Sequence, residues 1–468
     1  MSKKNTKRGA GRLRNASTVA QLKPERELRG ILDTVLRLAK ARGIPETEVH
    51  VEEVIDALTR FANNSIHQHV AEHGVVVSIR TSLDGRTARV TTNRLGEDAL
   101  RTALDDCCSL AASQPKNPHL LPMPGKQKYR TVDRFIPATA SLTAEERSRA
   151  VKCACAIAER RGQVAAGMFS SGQSQTLQGN SRGLFAAYRQ TQAEFSVTMQ
   201  QGSATSWAKA NSADMRQFDP QALASSASGK AERAQHPIEL TPGRYTVIFE
   251  PAAVVDLVGF LFYDFAATAL HDKRSCLSGR MGKPLFGKNF ILTDDVYHPQ
   301  QLGMPFDGEG MPRQRVVLVD QGVPKNLVYS RSSAKQARTK PTGHGFALPN
   351  EFGEAPMNLV IAGGNSSLAE MVASTARGLL VTRLWYIREV DPYEKIMTGM
   401  TRDGLFLVEN GKVGRAVRNF RFNQSILEML RNVELLGPAD RATGEESFEM
   451  VVPPMKIAGF QFSEVTKF

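Results

Sequence analysis

Leu28, Ile31, Leu32, Val35, Leu36 and Ala39 recur at the spacing of one helical face, and the pattern stops at Gly43 and Pro45. Strand-like runs follow: EVHVEEV, SIHQHVAEH, GVVVSIR and TARVTTN, the last two joined through the turn dipeptide Asp84-Gly85. Leu100, Leu104, Cys108 and Ala111 then restore a helical period ahead of a proline-rich stretch from Pro115 to Pro124. A further helix is predicted over 143–161, where Thr143 and Glu146 have the spacing of a capping box. Strands return over 163–208, with a turn at Asn180-Ser181-Arg182-Gly183. Small and polar residues dominate from about 210 to 236, and this is where the pattern sets a domain boundary.

The second half opens with a strand, RYTVIFEP, and then a long apolar run. It continues in strand-like segments such as QRVVLVDQG, MNLVIAGG, GLLVTRLWYI and GLFLVEN. Short helices interrupt at about 367–377, with Ser367 and Glu370 as a capping box, and at 425–432. Strand and helix do not alternate regularly, so the expected class is α+β with antiparallel sheets. The expected organisation is a basic tail over 1–27, an N-terminal domain of helices on antiparallel strands over 28–235, and a strand-rich, barrel-like or sandwich domain over 236–468.

The apolar run Pro251–Asp272 is as long as a membrane span, but it carries Asp256 and Asp264 inside and His271 near its end. Each Asp near the centre of a span costs about 2.5–3.5 kcal/mol on insertion scales, so a buried helix of a soluble protein is the reading. On one helix, Asp256, Phe260, Asp264 and His271 would share a stripe. With Cys276 nearby, Asp264 and His271 form a candidate metal site, and the alternative is a packing helix whose carboxylates meet groups of another element.

The formal charge is +13, but nine Lys and Arg against two Glu lie in the first thirty residues, leaving +6 for the body. The tail reads as a solvated basic arm, with contact to a nucleic acid or another polyanion as the alternative. Five cysteines in the pattern Cys107-Cys108, Cys153-Ala154-Cys155 and Cys276 form neither a disulfide framework nor paired zinc knuckles. A reducing, cytoplasmic setting is expected. His67, His69 and His73 are the densest histidine cluster; two on one strand face could hold a metal if a third ligand approached. The chain has no His-Glu dipeptide, so no zincin motif is present. No nucleophile elbow and no Walker A loop are read either.

Long motifs identify a family. FDGEGMPRQRVVLVDQGVPKNLVYSR, TGHGFALPNEFGEAPMNLVIAGGNSSLAEM, RGLLVTRLWYIREVDP and TRDGLFLVENGKVGRAVRNFRFNQSILEMLRNVELLG resemble, in order and spacing, the TldD/PmbA family, also called modulators of DNA gyrase. GNSRGLFAAYRQT and PGRYTVIFEP in the first half extend the resemblance from about residue 28 onward. It implies a cytosolic, two-domain protein of a zinc metallopeptidase family, acting on peptides or unfolded segments as a dimer that encloses a chamber.

In the TldD-type subunit, an H-E-x-x-x-H motif on the helix after the Pro-ending strand, with a later Cys, holds the zinc. Counted from Pro251, those positions fall here on Gly259, Phe260 and Asp264, and no Cys follows Cys276. The resemblance therefore implies a PmbA-type (TldE-like) chain without zinc or catalytic residues of its own, a pseudoenzyme paired with a TldD-like subunit or with itself. Asp307, Glu309, Gly343, Asn358 and Asp403 are candidates for its dimer or substrate surface, and tight-turn chemistry is the alternative. Two other functions stay open: a self-sufficient peptidase with a metal site relocated to Asp264 and His271, and a nucleic-acid or gyrase-associated regulator acting through the tail.

Overall fold

The computed structural model describes residues 19–466. Of the tail expected over 1–27, residues 1–18 lie outside the described residues; residues 19–24 form an irregular strap leading into α1, Glu25–Ala41. The mixed α+β class is observed. Six antiparallel strands make the first sheet: β1, Glu46–Ala62; β2, Ser65–Leu83; β3, Arg86–Thr92; β4, Val164–Asn180; β5, Phe185–Gln201; and β6, Ala204–Ser212, in the order β3-β2-β1-β4-β5-β6. The runs SIHQHVAEH and GVVVSIR, expected as two strands, are one: Gly74 stays in register opposite Val54, and the alternation continues through it. Tight turns close the hairpins, with left-handed φ at both Asn63 and Asn64 (51° and 58°) and at both Asp84 and Gly85 (49° and 73°).

Period-two alternation puts Val49, Val51, Glu53, Ile55, Thr59 and Phe61 on one face of β1. Two separate cores form on that face. α1 and α2, Glu97–Ser113, cover Val49, Val51, Val77, Ile79 and Leu177. α3, Ala144–Arg160, and α4, Pro220–Arg233, cover Phe61, Phe169, Phe195 and Val197. Between the cores the face is polar, with Glu53, Gln173 and Gln175 all buried. The opposite face meets the second half of the chain, where Arg89 Nε donates to the Leu348 carbonyl at 2.6 Å and Tyr129 Oη to the Gly310 carbonyl at 2.8 Å.

The second half is built on a closed five-stranded barrel: β7, Arg244–Phe249; β8, Arg377–Asp391; β9, Ile396–Glu409; β10, Phe420–Ser425; and β11, Met455–Val465. β7 pairs parallel with β8 over Gly378–Val381 and antiparallel with β11; β8 closes the ring through β9. Phe249, Phe420, Phe422, Phe460 and Phe462, none more than 1% exposed, fill its core. A second sheet of short strands, including Leu292–Asp294, Val316–Asp320 and Leu359–Ile361, packs beside it.

The run Pro251–Asp272 is not the single helix its apolar pattern predicts. α5, Pro251–Val258, gives way to a 3-10 segment, Gly259–Phe265, and then to α6, Ala267–His271. Seven residues is long for a 3-10 run, which seldom exceeds three or four. No helix among the described residues is long and apolar enough to cross a membrane.

Candidate functional site

The break in that run decides what its polar residues do. Asp256, fully buried, accepts the main-chain N–H groups of Glu445 at 2.9 Å, Glu446 at 3.0 Å and Leu384 at 3.3 Å. Burial pushes its carboxyl up to about 6 against the pull of those three donors. The carboxylate thereby pins the loop after the short strand Asp440–Ala442 and the middle of β8 onto α5. That loop seals Gly259: a Cβ there would lie 1.7 Å from Ser447 Oγ, 2.5 Å from Ser447 Cβ and 2.8 Å from Met450 Cε. Only a residue without a side chain permits this approach. Phe260 is half-buried and packs on the barrel core.

Asp264 is turned elsewhere. Lys395 Nζ lies 2.6 Å from its carboxylate, and the Cys276 N–H donates to it at 2.8 Å. Burial, and then the neighbouring Asp264, push the Cys276 thiol far above its ordinary range. His271 is occupied by the Gln336 amide at 2.7 Å. The stripe of Asp256, Phe260, Asp264 and His271 is dissolved, and each side chain keeps separate company.

His67, His69 and His73 do not converge either. The register of β2 steps past His67 as a bulge; His69 Nδ1 meets Thr59 Oγ1 at 3.0 Å, and His73 Nε2 meets Glu53 at 2.7 Å. No group of three or more His, Cys, Asp or Glu among the described residues is arranged to hold a metal ion. The donors present at the zinc positions implied by the resemblance do not fit that ion: one is a glycine with its space filled, one a phenyl ring, one a carboxylate already paired with an ammonium.

Asp307, Glu309, Gly343, Asn358 and Asp403 are all buried. Asp307 accepts the N–H groups of Glu309, Met311 and Gly345 at 2.8–2.9 Å. Asn358 Nδ2 donates to the Leu302 carbonyl at 2.6 Å, and Gly343, at φ 73°, lies against the Pro312 carbonyl. Asp403 joins the two halves: it accepts from Thr205 of β6 at 2.5 Å and from Arg383 Nε at 2.7 Å, while the Arg383 guanidinium stacks 4.6 Å above the Trp207 ring. These residues hold loops and the junction between halves, and none is more than 5% exposed among the four with side chains.

Three further residues of this network went unselected by motif spacing. His344 Nε2 and Asp294 Oδ1 form a buried pair at 2.8 Å, and the fully buried Glu354 accepts from Thr268 N, Ser330 N and Ser333 Oγ. Their signal in the sequence is a single polar residue in GHGF and in FGEA and one of three in TDD, with nothing to set it apart from a turn. Gly179-Asn180-Ser181-Arg182-Gly183 does have the G-x-S-x-G spacing of a nucleophile elbow, contrary to the reading that none exists. It is the turn between β4 and β5, where an elbow requires strand, turn and helix, and Ser181 Oγ is engaged by the Thr47 N–H at 3.1 Å.

What surrounds the 3-10 segment is an exposed aromatic surface. Phe352 (63% exposed), Tyr386 (53%), Val390 (61%) and Tyr393 (51%) project there. Tyr263 supports Phe352, its hydroxyl donating to the Phe352 carbonyl at 3.0 Å. Beyond Val381, β8 pairs only with β9 among the described residues; on its other side the Leu384 N–H goes to Asp256 and the Tyr386 N–H to Glu446 Oε1 at 2.6 Å. Chemically, the region offers exposed apolar side chains, with its carboxylates consumed by internal main-chain donors.

Comparison with known proteins completes the picture. Residues 242–464 match the model of the PmbA/TldA metallopeptidase C-terminal domain. "Metalloprotease PmbA" of Escherichia coli O157:H7 is 25% identical over 345 residues, 70% of this chain and 72% of that one. A "Metalloprotease PmbA homolog" of Haemophilus influenzae is 22% identical over 466 residues, 95% and 98% of the two chains. The crystal structure of TldE from Thermococcus kodakarensis superposes with a TM-score of 0.85 at 20% identity, covering 92% of this chain and 100% of that one.

Proposed function

This chain belongs to the TldD/PmbA family, and from that premise we propose that it is a PmbA/TldE-like subunit of a metallopeptidase assembly, without a zinc site of its own. It works by binding: it helps hold a peptide or unfolded protein segment and enclose the chamber of a dimer, while a TldD-type partner supplies zinc and the catalytic base. The observation that carries this reading is the sealed position of Gly259, where Ser447 and Met450 occupy the volume an imidazole would need. Asp264, the remaining motif position, is neutralised by Lys395. The surface with the exposed side chains of Phe352, Tyr386 and Val390 is the face assigned to polypeptide contact.

The test is elemental analysis of the purified chain, alone and mixed with a TldD-type chain, with a peptidase assay on the same samples. The expected result is no stoichiometric zinc and no hydrolysis alone, with both appearing in the mixture. Near-stoichiometric zinc and hydrolysis by the lone chain would overturn the reading.

A further inference from the structure

The polar band on the helix-covered face of the first sheet holds a piece of chain that belongs to no element. Gln173 Nε2 donates to the Ala20 carbonyl at 2.7 Å, and Gln175 Nε2 donates to the Lys23 carbonyl at 2.7 Å. The Lys23 N–H donates to the Glu53 carboxylate at 2.9 and 3.2 Å. Glu53 is fully buried, and Gln175 and His73 complete its surroundings at 2.6 and 2.7 Å. Every one of these bonds to the strap goes to its main chain. No side chain of residues 19–24 is buried, so nothing in the arrangement reads the identity of those residues.

The band is also larger than the strap. An opening of 840 Å³, bordered by Phe135, Pro137 and Arg189 and by Val19 and Leu22 of the strap itself, lies along it. An empty band would leave a buried carboxylate and two buried amides short of partners, a state that favours replacement of the strap over vacancy.

We propose that the band between the α1/α2 and α3/α4 pairs is a second polypeptide-binding groove. It recognises non-helical main chain through Glu53, Gln173 and Gln175, and residues 19–24 occupy it in cis. An incoming unstructured segment binds by displacing the strap and taking over the same three side chains. This groove is on the first sheet, away from the barrel, and does not rest on the reading of the zinc positions.

The test uses the full-length chain and a fluorescently labelled peptide of the strap's own sequence, VAQLKPE. Lys23→Pro removes the N–H that Glu53 accepts and weakens the strap in cis. The labelled peptide is expected to bind this variant at least ten-fold more tightly than the unmodified chain. Adding Gln175→Ala, or N-methylating the peptide at its Lys, is expected to abolish the gain. Equal affinity for a folded Lys23→Pro chain and the unmodified one would overturn the proposal. Should Lys23→Pro not fold, amide exchange of the unmodified chain gives the answer: millimolar peptide is expected to release protection at Lys23, and undiminished protection would overturn the proposal.

Discussion

Asp256 and Glu53 are both carboxylates with no exposed surface, and both accept main-chain N–H groups. Asp256 takes three, from β8 and from the loop that closes over Gly259, all within one continuous barrel half. Glu53 takes one, from a strap that contributes no buried side chain, and relies on Gln175 and His73 for the rest. The difference lies in what must move for the partner to leave. Freeing Asp256 means unpacking the barrel wall, whereas freeing Glu53 means lifting six irregular residues. Buried polar groups therefore mark a fixed joint in one half and a replaceable contact in the other.

Gly259→His should break the comparison hardest. The new side chain must displace Ser447 and Met450 and with them the loop that Asp256 holds. We expect a loss of more than about 4 kcal/mol by denaturant unfolding, with no gain of zinc, since overpacking without relief sits in the severe tail of point mutations. A stable, zinc-loaded variant would show that the wall around Gly259 is as replaceable as the strap.

Glu309 tests a fixed joint through pH. It is 5% exposed, has a single main-chain donor in Arg331, and is pushed up to about 7 by burial and then by Asp307. The folded chain therefore binds this proton more tightly than the unfolded chain does. Its stabilising contribution is full below about pH 4.5 and is lost as pH rises through about 7. Glu309→Gln should flatten that part of the stability profile and gain about 3 kcal/mol relative to the unmodified chain above pH 7. Parallel profiles for the two would sink the assignment.

Gln173→Ala should have the smallest effect, about 1 kcal/mol, the net worth of one hydrogen bond to the strap. Thermal unfolding would read it. A loss as large as that of Gly259→His would mean that the strap is a fixed joint too.

The family was legible because its motifs are long and ordered, and the local turns and caps were legible because neighbours make them. Thr143 with Glu146 and Ser367 with Glu370 form the capping boxes their spacing predicts. Asp84-Gly85 turns the chain as expected. The run after Pro251 misled, because an apolar sequence satisfies a helical period and a 3-10 segment equally well, and the close approach of Ser447 and Met450 to Gly259 comes from far along the chain. Asp307 makes the turn its spacing suggests, accepting the Glu309 and Met311 N–H groups, but no local pattern announces its reach to Gly345, that of Asn358 to Leu302 or that of Asp403 to Thr205 and Arg383.

By itself, then, the sequence determined the family, the α+β class, the hairpin turns and the helix starts, all of which depend on dihedral preferences and contacts within a few residues. The tertiary structure alone decided that Ser447 and Met450 close over Gly259, that Asp264 faces Lys395, and that Glu53 and the two glutamines grip the strap. Those outcomes depend on which distant groups arrive first at a buried donor or acceptor, and burial makes each such pairing exclusive.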